Sequence, residues 1–429
     1  MNNLIKITFF SLLIICSIEI SPSGSINLNL DKNNNFFTVS LNLGTPSQTF
    51  SVQVDTTTSE TWVPSLNTSY SVSPKYDHSK SKTVDFLNKT IDIYDEDGKV
   101  RGKSTYDNLK VGKYELNKFG FVQVLEYEIG FQDYPKGKLG LGYKQEHGDT
   151  FNFIKSLKNE GLIEKEVFSI IPDEKVLYVG DYPQNRGKYS FCNLTETDDL
   201  DNDYRASWVC EMSHMFFGNF DNKINLDDFE ELNARVSFDT AYPYISVPKR
   251  HLKTFKEKYI KKVFNDTCNE IKDNEETYFI CEDDENNLKN SNITFVLGGF
   301  GYTLTPEQLF KKIDGDKVEL LIRFWKENDD ILSFGIPFVY NYITVYDFEL
   351  NQVGFFGENK IDLYADWILW LNGLTPKQQK ERMRNLIIGC ASLGGILALI
   401  VIFLIIRACK RKQLDEEHGP LVKGEQMAQ

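Results

Sequence analysis

Alternating apolar and polar residues dominate the chain between about Phe36 and Lys360. Phe37–Leu43 alternates, Gly44–Ser47 has turn residues, and Thr49–Val54 alternates again and leads directly to Asp55. A period of two predicts half-buried strands, and Gly and Pro between two such runs predict a turn. The segment therefore predicts a hairpin that brings a carboxylate to the end of a strand.

A second segment repeats this arrangement in the other half of the body. Ala234–Phe238 alternates and ends at Asp239, which lies 184 positions after Asp55, and a threonine follows each aspartate. Helical periodicity is sparse, so the body is predicted to be mainly β. Three segments are candidate helices: Thr150–Glu160, Lys249–Val263 and Pro306–Lys312.

Two apolar runs lie outside this body, one at each end. Residues 7–18 are largely apolar and follow Lys6, which is typical of a secretory signal peptide, here assigned to residues 1–22. Residues 386–406 form 21 positions without a charge, enough for a helix to cross a hydrocarbon core of about 30 Å. Four basic residues flank this run on each side, so the signal peptide decides the orientation.

These ends predict a single-pass type I membrane protein. Its body faces the lumen of the secretory or endolysosomal system, or the outside of the cell. Residues 361–385 form a juxtamembrane stalk, residues 386–406 the transmembrane helix, and residues 407–429 a cytosolic tail.

The cysteines and the sequons agree with an oxidising compartment. Four of the seven cysteines lie in the lumenal part, which favours two disulfides. The simplest pairing is Cys192–Cys210 with Cys268–Cys281, although spacing alone leaves the other two pairings open. Five N-x-S/T sequons predict exposed glycan acceptors: Asn67, Asn88, Asn193, Asn265 and Asn292.

Composition excludes some function classes. The 48 Lys and Arg against 62 Asp and Glu give a net charge of −14, which argues against nucleic-acid binding. The sequence has no CxxC motif, no His pair at ligand spacing and no Gly-rich phosphate loop, so neither a metal nor a cofactor is predicted.

Seven motifs, in order over some 300 residues, resemble those of the pepsin-like aspartic proteases (the A1 family). Asp55-Thr-Thr-Thr-Ser-Glu-Thr-Trp-Val-Pro-Ser65 resembles the first catalytic motif, D-T-G-S-S-x-x-W-V-P-S. Ser237-Phe-Asp-Thr-Ala-Tyr-Pro-Tyr-Ile-Ser-Val-Pro248 resembles the second. The other five are Thr105–Gly112, Gly137–Tyr143, Gly161–Ser169, Phe334–Asp347 and Gln352–Phe355.

The resemblance implies an all-β, bilobal pepsin-like fold, with an N-terminal lobe at 23–190 and a C-terminal lobe at 191–360. It implies that Asp55 and Asp239 are the catalytic dyad, and it places the family's C-lobe disulfide on Cys268–Cys281. It further implies supporting roles for Thr56, Thr240 and Thr58, and a flap carrying Tyr94 and Gly98.

Such a dyad hydrolyses peptides by general acid–base catalysis. Two close carboxylates cannot both ionise at low cost, so they share a proton. One can deprotonate a water while the other protonates the peptide carbonyl. The resemblance therefore implies a membrane-anchored aspartic endopeptidase, active at acidic pH on peptide or protein substrates, and we expect a monomer.

Several departures from the family motifs favour an alternative. Thr57 and Ala241 replace the two motif glycines, and Tyr242 replaces a small hydroxyl residue, whereas Thr58 can still donate to Asp55. Lys138 replaces an aliphatic residue of the pocket wall, and an acidic flap is one partner that it could reach. The alternative is a catalytically inactive, receptor-like binding protein on the same fold.

Overall fold

The computed structural model describes residues 23–362, with gaps at 31–35, 70, 96–97, 128–135, 145–146, 188, 197–205, 218–228, 266, 274–275, 283, 290, 314, 326–330 and 357–359. The predicted signal peptide, transmembrane segment and cytosolic tail lie outside these residues. Within the described residues, no helix has the length and apolar character that a membrane span requires.

Strands make up most of the regular structure, as the alternating pattern predicts. The first twelve are β1 (Gly24–Asn27), β2 (Asn29–Leu30), β3 (Phe37–Leu43), β4 (Gln48–Asp55), β5 (Trp62–Pro64), β6 (Asp85–Asp95), β7 (Gly98–Val111), β8 (Tyr114–Tyr127), β9 (Lys138–Gly140), β10 (Val167–Ile171), β11 (Val176–Val179) and β12 (Ser190–Asn193).

The later strands belong mainly to the second half of the chain. They are β13 (Val209–Phe217), β14 (Phe229–Phe238), β15 (Ile245–Pro248), β16 (Cys268–Asp273), β17 (Glu276–Glu282), β18 (Ile293–Leu297), β19 (Phe300–Leu304), β20 (Phe310–Ile313), β21 (Lys317–Leu320), β22 (Ile322–Trp325), β23 (Ile331–Phe334), β24 (Ile343–Asp347), β25 (Gln352–Phe356) and β26 (Lys360–Asp362).

The described strands form three sheets. An eight-stranded sheet in the first half has the order β2-β3-β4-β9-β5-β8-β7-β6. A second sheet in the other half has the order β20-β21-β17-β22-β15-β23-β14-β13-β18-β19-β26, with β16 paired to β17. The third, β1-β11-β10-β24-β25-β12, takes strands from both halves, so one sheet joins them.

Each half places its aspartate by the same strand arrangement. Strand β4 ends at Asp55 and pairs in parallel with β9, with Asp55 opposite Gly140. Strand β14 ends one residue before Asp239 and pairs in parallel with β23, with Phe238 opposite Phe334. The two-fold repeat seen in the sequence is therefore a repeat of strand pairing.

Helices are short, and they partly match the predicted segments. They are α1 (Phe153–Asn159), α2 (Leu252–Phe255), α3 (Lys261–Phe264), α4 (Glu285–Leu288), α5 (Pro306–Leu309) and α6 (Ile336–Val339). Asn152 caps α1 by accepting from the amides of Ile154 and Lys155. A 3₁₀ turn, Lys249–His251, and a π-helical turn, Lys256–Ile260, precede and follow α2 and make one helical stretch to Phe264.

The third predicted helix is shorter than its pattern. After Pro306–Leu309 the chain becomes strand β20, because Phe310–Ile313 pairs with β21. Pairing with β21 satisfies the backbone N–H and C=O groups of Phe310–Ile313, which would otherwise have bonded within a longer helix. The prediction of a helix to Lys312 is wrong for its last three residues.

Both predicted disulfides are present. Cys192 of β12 is bonded to Cys210 of β13, and Cys268 is bonded to Cys281. The second pair joins directly opposite positions of β16 and β17.

Candidate active site

The first aspartate is held in a tight turn beneath the chain that follows β9. The Asp55 carbonyl accepts from the Leu141 amide at 2.8 Å, and the Thr58 carbonyl accepts from the Gly142 amide at 2.8 Å. A Cβ on Gly140 would lie 2.5 Å from backbone atoms of Ser59. The close approach of the two backbones therefore requires glycine at position 140.

The Asp55 carboxylate is oriented by the threonine that replaces the motif glycine. Its Oδ1 accepts from the Thr57 amide at 2.7 Å, the Thr57 hydroxyl at 2.7 Å and the Thr58 amide at 3.2 Å. The Thr58 hydroxyl, which the sequence suggested as a donor, has no hydrogen-bond partner among the described residues. The residue that replaces the motif glycine therefore supplies the hydroxyl.

The second aspartate occupies an equivalent turn with different side chains. The Asp239 amide donates to the Phe334 carbonyl at 3.0 Å, and Asp239 Oδ1 accepts from the Ala241 amide at 2.7 Å. A Cβ on Gly335 would lie 2.2 Å from the Tyr244 carbonyl oxygen. The turn is as crowded as the first, but Ala241 offers a methyl group where Thr57 offers a hydroxyl.

The residue that replaces the small hydroxyl of the second motif, Tyr242, forms a group with Glu276 and Arg323. Its hydroxyl donates to Glu276 at 3.3 Å, and Glu276 also lies 3.6 Å from Arg323. Burial raises the pKa of Glu276 above its ordinary value, and the Arg323 charge opposes that rise. Arg323 lies between two aromatic rings, 3.8 Å from the ring centroid of Tyr244 and 3.9 Å from that of Tyr278.

The two threonines after the aspartates join the halves of the molecule. Thr56 Oγ1 donates to the Phe238 carbonyl at 2.6 Å, and Thr240 Oγ1 donates to the Val54 carbonyl at 2.6 Å. The Thr240 amide also donates to Thr56 Oγ1 at 3.3 Å. Both side chains are fully buried. Each bonded carbonyl belongs to the residue immediately before an aspartate, so the pairing brings the two aspartate turns together.

A lysine contacts the first aspartate directly. Lys138 Nζ lies 2.7 Å from Asp55 Oδ2, and the two side chains are 1% and 0% exposed. The sequence suggested the acidic flap as one partner for this lysine, but the structure places its ammonium against the Asp55 carboxylate. Removing one member of such a buried pair leaves an uncompensated charge, typically at a cost of about 3–5 kcal/mol.

The predicted flap is the hairpin of β6 and β7. Ile91 and Ile93 pack in a buried cluster with Trp62. Tyr94 alternates with them and therefore faces the other side of the hairpin, where Lys99 Nζ lies 5.1 Å from its ring centroid. The Trp62 indole nitrogen has no hydrogen-bond partner among the described residues. The flap role of Tyr94 stays a prediction, and Gly98 is placed only as the first residue of β7.

The sequons lie on the body as glycan acceptors require, where their side chains are described. Asn67, Asn193 and Asn265 are exposed, and Asn292 is half-buried. The side chain of Asn88 lies outside the described residues. Glycosylation at all five stays a prediction.

Sequence reasoning found both aspartates and both cross-linking threonines but missed three contacts. These are the Thr57 hydroxyl bond, the Lys138 ion pair and the grouping of Tyr242 with Glu276 and Arg323. The first had a signal, because an aspartate side chain in a turn commonly accepts from the backbone amide two residues later, which brings the side chain of that residue close to the carboxylate. The other two depend on which strands are neighbours, which the sequence alone does not give.

Comparisons with known proteins agree with this geometry. The chain matches the family described as "Eukaryotic aspartyl protease" over residues 36–357. It is 24% identical to a vacuolar aspartic protease of Candida albicans over 340 residues, which is 75% of each chain. It is 25% identical to renin of Canis lupus familiaris (73% of this chain, 77% of renin) and 26% identical to plasmepsin IV of Plasmodium falciparum (78% and 72%). The chain therefore belongs to the eukaryotic aspartyl protease family, the pepsin-like A1 peptidases.

Proposed function

We propose that the protein is an aspartic endopeptidase that hydrolyses peptide bonds with a water activated between Asp55 and Asp239. The observation that carries this proposal is the pair of threonine hydrogen bonds, Thr56 to Phe238 and Thr240 to Val54, which brings the two aspartate turns together. Membership of a peptidase family agrees with it.

The chemistry requires one proton shared by the two carboxylates. One carboxylate removes a proton from the water as its oxygen attacks the carbonyl carbon, and the protonated one gives its proton to the carbonyl oxygen. As the resulting tetrahedral diol collapses, one of its hydroxyls returns a proton to the dyad, and the carboxyl group that took the water's proton gives it to the leaving nitrogen. The amine is then released, and the step needs no metal and no covalent intermediate. The pair titrates as a unit, and acid and base are not assigned separately.

Activity at acidic pH follows from this shared proton. The relative from Candida albicans is described as vacuolar, which supports an acidic compartment of the secretory or endolysosomal system. The net charge of −14 suits the same compartment, because protonation of surface carboxylates there reduces self-repulsion.

The test is cleavage of a denatured protein by the full-length chain, purified in detergent. Rates are measured across roughly pH 3 to 7, where ordinary and raised carboxyl groups titrate, with and without pepstatin. Asp239→Asn is the informative variant, because Asp55→Asn would also leave Lys138 without its buried counter-charge. We expect pepstatin-sensitive cleavage and a loss of about 10²–10⁴-fold in Asp239→Asn. Cleavage that persists in the presence of pepstatin and in Asp239→Asn would contradict the proposal.

Membrane attachment belongs to the same proposal and rests on the sequence. A signal peptide at 1–22 and a 21-residue apolar run at 386–406 support a type I anchor with a lumenal body. The expected outcome is that the full chain stays with membranes in alkaline carbonate and that a chain ending after residue 385 is released. Release of the full chain would contradict the anchor.

A second function is favoured by one observation, the Asp55–Lys138 ion pair. An ammonium on the dyad suits a protein that binds peptides in the cleft without hydrolysing them. Such a protein would bind pepstatin, a peptide inhibitor of aspartic proteases, and show no cleavage at any pH in the range tested.

A further inference from the structure

The two oxygens of Asp55 have different surroundings. Oδ1 accepts three hydrogen bonds, from the Thr57 amide, the Thr57 hydroxyl and the Thr58 amide. Oδ2 accepts no well-aligned hydrogen bond among the described residues and lies 2.7 Å from Lys138 Nζ. A carboxylate that activates water must offer an oxygen to the water's proton. Oδ2 is the oxygen left for that task, and the ammonium is in contact with it.

Lys138 reaches this place from a backbone that is fixed on both sides. Strand β9 lies between β4 and β5, so Lys138 is opposite Gln53 on one side and Trp62 on the other. The Gln53 amide donates to the Gly137 carbonyl at 3.0 Å. Gly137 has a φ of +125°, and a Cβ there would lie 2.7 Å from the Trp62 carbonyl oxygen. The lysine is therefore part of the interior and not a surface side chain that happens to fold inward.

The ammonium changes the charge balance of the dyad. Hydrolysis needs two carboxylates that hold one proton between them, because their mutual repulsion opposes double ionisation. A positive charge at 2.7 Å from Asp55 Oδ2 offsets that repulsion, on which the shared proton depends.

We propose that Lys138 is a positioning residue that restrains the dyad: its ammonium holds Asp55 in an ion pair and has to leave Oδ2 before water and peptide can bind there. This inference rests on the proposed function for its catalytic consequence. Its consequence for binding is independent, because a peptide inhibitor that occupies the same place also has to displace the ammonium.

The experiment compares four full-length proteins: wild type, Lys138→Met, Lys138→Arg and Lys136→Met. Met keeps most of the length of lysine without its charge, Arg keeps the charge, and Lys136 is an exposed lysine two residues earlier. For each protein, kcat and KM are measured on a peptide substrate and Kd on pepstatin. Thermal unfolding checks the fold, and Lys138→Gln repeats the comparison if the Met variant does not fold.

We expect Lys138→Met to raise kcat and to lower the pepstatin Kd by at least about tenfold, which corresponds to 1.4 kcal/mol. KM should change less than kcat, since the restraint acts on the reacting groups. Lys138→Arg and Lys136→Met should stay close to wild type. If Lys138 were merely structural, Lys138→Met would change the unfolding temperature and leave kcat and the pepstatin Kd at their wild-type values.

The outcomes separate this inference from the proposed function. Tighter pepstatin binding by Lys138→Met without cleavage supports the restraint and counts against an endopeptidase. If wild type and Lys138→Met have equal kcat and Kd, the inference is overturned. Whether the wild type cleaves its substrate then tests the proposed function by itself. A fall in kcat in Lys138→Met, or a Lys138→Arg variant that behaves like Lys138→Met, also overturns the restraint.

Discussion

Replacement of the two motif glycines has unequal consequences for the aspartates. Thr57 adds a hydroxyl that donates to Asp55 Oδ1 at 2.7 Å, in addition to its own amide. Ala241 adds only a methyl group beside the amide that donates to Asp239 Oδ1. A glycine would give the amide bond alone in both turns, so the first substitution brings a hydroxyl donor and the second brings none. The Thr58 hydroxyl, in contrast, has no partner among the described residues. The two carboxylates are therefore differently oriented by their own turns.

The Thr57 hydroxyl bond gives a prediction with a neighbouring control. Thr57→Val keeps the shape of the side chain and removes a donor to a carboxylate, so we expect a loss of about 1.5–3 kcal/mol in the free energy of unfolding. Thr58→Val removes a buried hydroxyl that has no partner among the described residues, so its free energy of unfolding should stay the same or rise. Urea titration of both variants measures the difference, and equal losses would contradict the assignment.

The sequence predicted individual strands but not the pairing between distant strands. Alternation correctly located β3 and β4 and the end of β14, and turn residues separate the first two. It could not show that β9 pairs in parallel with β4, since the two strands are separated by more than 80 residues. The partner of Lys138 follows from that pairing, which explains why the charge was noticed in the sequence and its contact was not.

Gly140 tests the close approach between β9 and the Asp55 turn. In Gly140→Ala the new Cβ would meet the Ser59 backbone at 2.5 Å, and backbone atoms have little freedom to move aside. We expect a loss of about 2–3 kcal/mol in the free energy of unfolding and weaker pepstatin binding, because the displaced segment carries Asp55.

Gly315→Ala is the matched control for that variant. Gly315 has a φ of +75°, but no atom lies within 4 Å of the added Cβ. The left-handed conformation alone costs about 1 kcal/mol, and pepstatin affinity should stay at the wild-type value. If both variants weakened pepstatin binding equally, the loss could not be assigned to contact with the Asp55 turn.

The molecule as a whole combines a repeated framework with an asymmetric charge. Both halves end a strand near an aspartate, pair it in parallel with a later strand, and place a threonine on the opposite half. Lys138 breaks this repeat, because the corresponding strand of the second half, β23, carries Leu332, Ser333 and Phe334 beside its aspartate turn. The sequence motifs predicted the repeat, whereas its asymmetry depends on side chains that no periodic pattern specifies.

The joint between the halves can be measured by a double-mutant cycle on Thr56 and Thr240. Each Thr→Val change removes a hydroxyl bond and leaves a buried carbonyl without that donor, so each should cost about 1–3 kcal/mol in the free energy of unfolding. The hydroxyl oxygens lie 3.4 Å apart and the Thr240 amide donates to Thr56, so the two losses should differ from additivity by about 0.5–3 kcal/mol. Catalysis should fall mainly in kcat, because both residues directly follow the aspartates.

Thr303→Val is the control, since Thr303 shares a 2.8 Å hydroxyl contact with Thr294 inside the second half. It should lower stability and leave kcat unchanged, whereas additive losses in the cycle, or an equal fall in kcat for Thr303→Val, would show that the joint does not position the dyad.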